Sequence, residues 1–141
     1  MKVIAILKSS EKLKDFGMPA ARVGIALAFI WPGMNKVNNP AGIGQMLQSM
    51  GIEPTMATQL AFSIGVFEIL SGILIAVGLL TRPAAIYQIA ILIGAQVMFG
   101  FDFTKGPAIW KDPGLLGIEI LLLLYGAGRF SIDHLISNRQ R

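Results

Sequence analysis

The chain has 141 residues, 54% of them hydrophobic and only 14% charged, and a mean hydropathy of +0.65. A soluble domain of this length is about a quarter charged, so the composition excludes an ordinary water-soluble globule and indicates a single membrane domain spanning residues 1–141. The net charge is +4, but no basic patch is interleaved with surface aromatics, which points to anionic lipid headgroups and away from nucleic acid.

In chain order, Met1 to Asp15 carries a short apolar core, Val3 to Leu7, followed by Lys8, Lys12 and Lys14. The core is too short for a signal-peptide hydrophobic region and no cleavage site follows, so an interfacial segment is expected. The first span covers about residues 18–36. Pro19 suits a first helical turn, Arg22 can snorkel, Trp31 fits an interfacial belt, and Pro32 to Lys36 forms the exit. Between Asn38 and Pro54, Ile43, Met46, Leu47 and Met50 recur at helical spacing. This predicts a short amphipathic helix lying on the membrane or capping the bundle.

The second span, residues 57–80, is almost wholly apolar with one charge, Glu68, near its middle. About twenty apolar residues cross the hydrocarbon core of a bilayer. The brief Thr81-Arg82-Pro83 link makes the third span, residues 84–101, its antiparallel neighbour. Asp102 to Gly114 reads as a polar loop with Trp110 as an interfacial anchor, residues 115–130 as the fourth span, and SIDHLISNRQR as a polar tail. The expected fold is therefore all-α, an integral membrane four-helix bundle with an interfacial helix between spans one and two. Placing both termini in the cytoplasm puts nine of the twelve Lys and Arg residues on that side and three, Lys36, Lys105 and Lys111, on the other, a positive-inside bias.

Among residues able to carry chemistry, Glu68 comes first, because a carboxylate at mid-bilayer costs several kcal/mol unless it is paired, hydrated or protonated. Ala61, Gly65 and Gly72 share its helical face, so it should point into the bundle. It is then either a hydrogen-bonded group that fixes helix registry or a ligand and proton-exchange site. Asn35, Lys36, Gln96 and Glu119 form a second group. Topology places them at similar depth toward the outer side, where they would form a polar pocket above Glu68; the alternative is helix-end capping and snorkelling. Arg22, near the inner face, is an orientation anchor or pairs with Asp133. The clustered methionines are read as adaptable packing. The chain has no cysteine, and His134 is its one histidine. Thiolate chemistry is thereby excluded, and neither haem nor a metal is expected from this chain alone.

Several of these residues fall in an ordered set of motifs: Arg22, Phe29 and Gly33-Met34-Asn35-Lys36, then Glu68-Ile69-Leu70-Ser71-Gly72, GLLTRPAA from Gly78 to Ala85, and GAGRFSID from Gly126 to Asp133. From about Gly17 to His134 the set resembles the DoxX family of small membrane proteins. The resemblance implies a four-helix bundle with both ends cytoplasmic, located in the cytoplasmic (inner) membrane. Family-typical polar positions fall at Arg22, Lys36, Glu68, Arg82 and Asp133. The field of function it implies is loose and includes the DoxD-type subunit of thiosulfate:quinone oxidoreductase. The third span has Gln88 and Gln96 where some members carry histidine, which weakens a histidine-based redox site.

The leading expectation is a subunit of a quinone-linked redox system. Glu68 and Glu119 would exchange protons, and Lys36, Asn35, Gln96 and Arg22 would serve the quinone. Partners would be the lipid bilayer, other membrane or peripheral redox subunits, and further copies of the chain. A non-enzymatic scaffold, binding other membrane proteins through Gly65 and Gly72, is the second reading, and a small-molecule permease the third.

Overall fold

The computed structural model describes residues 11–100 and 107–139. The basic approach through residue 10, residues 101–106 of the expected loop, the last two residues and the side chain of Trp110 lie outside the described part. Within it the chain is helical throughout, with no strand: α1 (Glu11–Asn38), α2 (Ala41–Ser49), α3 (Pro54–Val77), α4 (Thr81–Phe99), α5 (Pro107–Tyr125) and α6 (Ile132–Arg139).

The helix α1 runs unbroken through both Pro19 and Pro32. Each proline removes one main-chain hydrogen bond, and the packing of the helix against α3 keeps it continuous. The expected exit at Pro32 is therefore an interior turn, and the helix ends at Asn38. The expected short amphipathic helix forms as α2, where the spacing of its apolar residues places it. Glu53 then caps α3 by accepting a hydrogen bond from the Met56 amide at 2.9 Å, with Pro54 in the first helical position.

At its far end α3 stops on Gly78, whose φ of +69° is left-handed. The Gly78 and Leu79 amides bond back to Ile75 and Leu74, a closed C-terminal turn that glycine permits. Leu80 is also left-handed, with φ +50°, an unusual conformation for a branched side chain. Asp133 holds it there, its Oδ1 accepting from the Leu80 amide at 2.9 Å and its Oδ2 from the Thr81 amide at 3.0 Å. The motif around Gly78 and the motif ending in Asp133 thus form one structural unit.

The fourth long helix differs most from the sequence reading. It begins at Pro107, continues through Pro113 and ends at Tyr125, about two turns ahead of the expected 115–130. Gly126 and Gly128, both left-handed, break the chain out of the helix and release the short α6, so the expected polar tail is in part helical.

The packing follows a closed order. α1 lies chiefly on α3, α3 also meets α2 and α4, α4 meets α5, and α5 touches α1. The main core joins Ile25, Phe29, Ile75, Ala84, Ala85, Leu92 and Leu122; a smaller one beneath α2 joins Leu47, Ala57 and Ala61. Polarity is reversed relative to a soluble protein. Arg22, Glu68, Gln88, Asp112 and Glu119 are buried, while Leu60, Phe67, Leu70, Ile73 and Val77 of α3 are exposed. An apolar exterior, with charged and amide groups kept inside beside the apolar core, is what lipid as solvent selects. Two helical segments, Asp15–Asn38 and Pro54–Val77, are long and apolar enough to cross a membrane.

Candidate functional site

The crossing of α1 over α3 creates the site. Gly33 and Gly65 face each other so closely that a Cβ on either would lie 2.8 Å from the carbonyl oxygen of the other. Two turns further, a Cβ on Gly72 would meet Ile30 at 2.7 Å and the Ala26 carbonyl at 3.1 Å. Small residues bring the two backbones together, and side chains three residues beyond each member of the glycine pair then meet. These are Lys36 and Glu68.

Lys36 Nζ donates to both carboxylate oxygens of Glu68, at 2.8 and 2.6 Å. The carboxylate is buried, and the lysine keeps 18% of its side-chain surface exposed. Glu68 points inward, as its helical face requires, and its charge is compensated by a cation from the neighbouring helix.

A cavity of about 210 Å³ opens beside this ion pair. Its walls are otherwise apolar: Ile43, Met46 and Leu47 of α2, Ile64 of α3, and Ile91, Gly94, Ala95 and Met98 of α4 among them. On its other side Lys36 also borders a polar cleft with Asn35, Asn38 and Asn39. Lys36 therefore borders both an amide-bearing cleft and an apolar chamber.

A second polar cluster lies between α3, α4 and α5. With its amide oriented to satisfy both ends, Gln88 donates to Glu119 Oε1 and accepts from Ser71 Oγ at 2.9 Å and from the Gly72 amide at 3.2 Å. Glu119 is fully buried, at 0% exposure, its Oε2 has no partner, and among the described residues no cation pairs with it. Ser71 also approaches the Glu68 main-chain carbonyl, with Oγ to O at 3.1 Å.

The four residues expected to form one outer pocket do not converge. Asn35 is exposed, and Lys36 is drawn to Glu68. Gln96 turns to the opposite side of α4, where its amide donates to Asp112 at 3.1 Å in an otherwise apolar cavity of about 330 Å³. Glu119 lies about 18 Å along α5 from Pro107, far deeper than a reading that started the helix at Leu115 allows. The residue of α5 level with Gln96 is Asp112, which the sequence reading left in a loop. Ser71 and Gln88 carry the second cluster and received no role from sequence; their signal was polarity inside otherwise apolar spans.

Arg22 does not snorkel. It is 3% exposed and fills the space that Gly78 leaves open, so that a Cβ there would strike its guanidinium. Its Nη2 donates to the Phe130 carbonyl, and Nε and Nη1 have no partner. It makes no salt bridge with Asp133, whose oxygens are committed to the amides of the α3–α4 turn.

Comparison with known proteins adds three relatives and a family. The DoxX family model matches residues 17–100. Inner membrane protein YqjF of Escherichia coli K12 is 28% identical over 132 residues, covering 92% of this chain and 98% of its own. Inner membrane protein YphA of the same organism is 33% identical over 122 residues, covering 80% and 85%. A membrane protein of Mycobacterium tuberculosis, Rv3486, is 33% identical over 138 residues, covering 84% and 80%. No solved structure matches the chain.

Proposed function

The chain belongs to the DoxX family of membrane proteins, and on that premise we propose that it is a subunit of a quinone-linked redox system. Its place is the inner membrane, as for its E. coli relatives and as the apolar exterior of its helices requires. In this reading α1, α3, α4 and α5 all cross the bilayer, with both termini cytoplasmic. The 19 residues each of α4 and α5 reach about 28 Å.

One observation carries the proposal: the Lys36–Glu68 pair forms the polar wall of a cavity whose remaining lining is aliphatic side chains, methionine and glycine. Such a chamber, apolar with a few convergent polar groups, is the usual form of a small-molecule site. It suits a planar head with carbonyl oxygens and an apolar tail. A quinone supplies two-electron, two-proton acceptor chemistry when bound. Lys36 Nζ, already shared between two acceptors, would donate a hydrogen bond to a carbonyl placed at the pair. Glu68 would exchange one of the two protons there, within reach of the amide-lined cleft through Lys36. Glu119 is the second carboxyl of the interior, held by Gln88. Electrons come from a partner subunit or a small reductant. Of the remaining residues first expected to serve a quinone, Gln96 and Arg22 stand elsewhere, and Asn35 lines only the cleft.

The scaffold reading loses the surface assigned to it, because Gly65 and Gly72 are packed against α1 of the same chain. The test is binding of a short-tailed quinone analogue to the purified protein in detergent, followed by quinone reduction in membranes containing its partners. Lys36→Met/Glu68→Gln should weaken binding about tenfold or more, the loss of one charge-assisted contact. Equal binding by the double variant and the parent would sink the proposal.

A further inference from the structure

A separate groove lies at the end of the molecule that holds the α3–α4 turn, far from the cavity at Lys36. It encloses about 600 Å³, and its lining includes Leu80, Thr81, Arg82, Tyr125, Arg129 and Ser131. We infer that this groove binds the phosphodiester headgroup of an anionic phospholipid.

The charge balance of the groove is cationic. Arg82 is exposed, and among the described residues its one polar contact is a long hydrogen bond to the Leu124 carbonyl at 3.4 Å, which engages only one of its guanidinium donors. Arg129 meets Asp15 at 3.0 Å with 72% of its side chain still exposed, so it too can turn to an incoming anion. Arg22 is buried behind this lining, its guanidinium against Gly78 and beside Ser131 of the groove wall. Among the described residues the acidic groups at these cations are Asp133, in the lining, and Asp15, the partner of Arg129. Two arginines of the lining therefore meet two aspartates, the buried guanidinium of Arg22 is the surplus cation, and both oxygens of Asp133 are occupied by amides.

Two buried side chains at this end carry donors with no partner among the described residues. Thr81 lines the groove with 0% exposure, and its Oγ1 has no hydrogen bond; Nε and Nη1 of Arg22 have none either. Buried donors are almost always satisfied in folded proteins, and an anion in the groove supplies an acceptor to Thr81 and a counter-charge to Arg22. Phosphate oxygens suit a guanidinium fork better than any other common anion except carboxylate.

The setting selects a lipid over free phosphate. Leu80, Leu124, Tyr125 and Phe130 are exposed beside the groove, at the ends of helices whose sides are apolar. A headgroup in the groove would lay its acyl chains along them, and an arginine cluster at that level is a recognised form of anionic-lipid site.

The experiment uses the full chain in detergent and native mass spectrometry, with phosphatidylglycerol and phosphatidylcholine as probes. The parent protein should retain phosphatidylglycerol in preference to phosphatidylcholine. Arg82→Gln/Arg129→Gln should reduce that retention about thirtyfold, at roughly one step of attraction per arginine. Asp15→Asn, which breaks the same surface ion pair without removing a cation, should retain the lipid, and this separates lost binding from lost folding. Thr81→Val, which removes only an unpartnered hydroxyl, should keep the fold and weaken retention. Equal retention of the two lipids, or no effect of the double arginine variant, overturns the inference. So does a thermal stabilisation by inorganic phosphate that matches that by phosphatidylglycerol, since the site would then take the free ion. None of these readouts depends on quinone binding.

Discussion

Gly33 and Gly65 meet backbone to backbone, and the Lys36–Glu68 ion pair closes three residues beyond each of them. The contact and the charge pair are one arrangement, because the approach of the helices sets the reach of the lysine. Substituting either glycine tests this. Gly65→Ala places a methyl 2.8 Å from both the Gly33 carbonyl and the Lys36 Cβ, so the crossing must open. A cost of about 1–3 kcal/mol is expected for such overpacking. Gly24→Ala, on the same α1 helix with nothing within 4 Å, should be neutral or slightly stabilising. Denaturant titration in mixed micelles measures both, and equal effects would show that the crossing is not close-packed.

The ion pair itself should be strongly coupled. Lys36→Met leaves a buried carboxylate without its cation, and Glu68→Gln leaves the ammonium facing an apolar chamber. Each single change should cost about 2–4 kcal/mol, somewhat less than a fully buried pair because the lysine is partly exposed. The double variant should cost less than the sum. Additive losses in a double-mutant cycle would mean that the two groups do not share their charge.

Asp133 should matter for the turn between α3 and α4 more than for any ion pair. Asp133→Ala removes two acceptors from the Leu80 and Thr81 amides and leaves the left-handed Leu80 unsupported. A loss of about 1–2 kcal/mol is expected, in the range of a helix N-cap. Hydrogen exchange at the Leu80 and Thr81 amides should accelerate while that of mid-helix α3 amides does not. Uniform acceleration across α3 would contradict a local role.

Glu53 provides a pH test outside the spans. Hydrogen bonds from the amides of Thr55 and Met56 hold its carboxyl below the ordinary value of 4.5. A group lowered on folding stabilises the fold above its unfolded value, and that contribution is lost as pH falls through the folded value. The N-terminus of α3 should therefore stay capped at neutral pH and begin to fray only below the usual glutamate range. The Met56 amide resonance should report a midpoint under 4.5, and a midpoint at or above 4.5 would show that the cap does not form.

Much of this was legible in the residues. The inward face of Glu68 follows from Ala61, Gly65 and Gly72 at helical spacing on an almost wholly apolar helix, where periodicity has no competitor. The amphipathic α2 is legible for the same reason. The partner of Glu68 was not, because Lys36 reaches it only through the Gly33–Gly65 contact, and a contact between distant segments leaves no periodic trace. Glu119 was placed too shallow because Lys111, Asp112 and Pro113 read as a loop, whereas α5 runs through them. The same misreading hid the Gln96–Asp112 pair. Arg22 resembled a snorkelling residue because nothing in its own helix reveals the space left by Gly78.

The partners Lys36 and Glu68 are 32 residues apart in the chain, and this separation bears on how the protein is made. At about 5–20 residues per second the ribosome takes roughly 2–6 s to deliver the second after the first. Throughout that interval the nascent first helix carries an unneutralised ammonium, which is most stable at headgroup level. Neutralisation of that ammonium by its partner thus waits on translation of α3, the next helix but one.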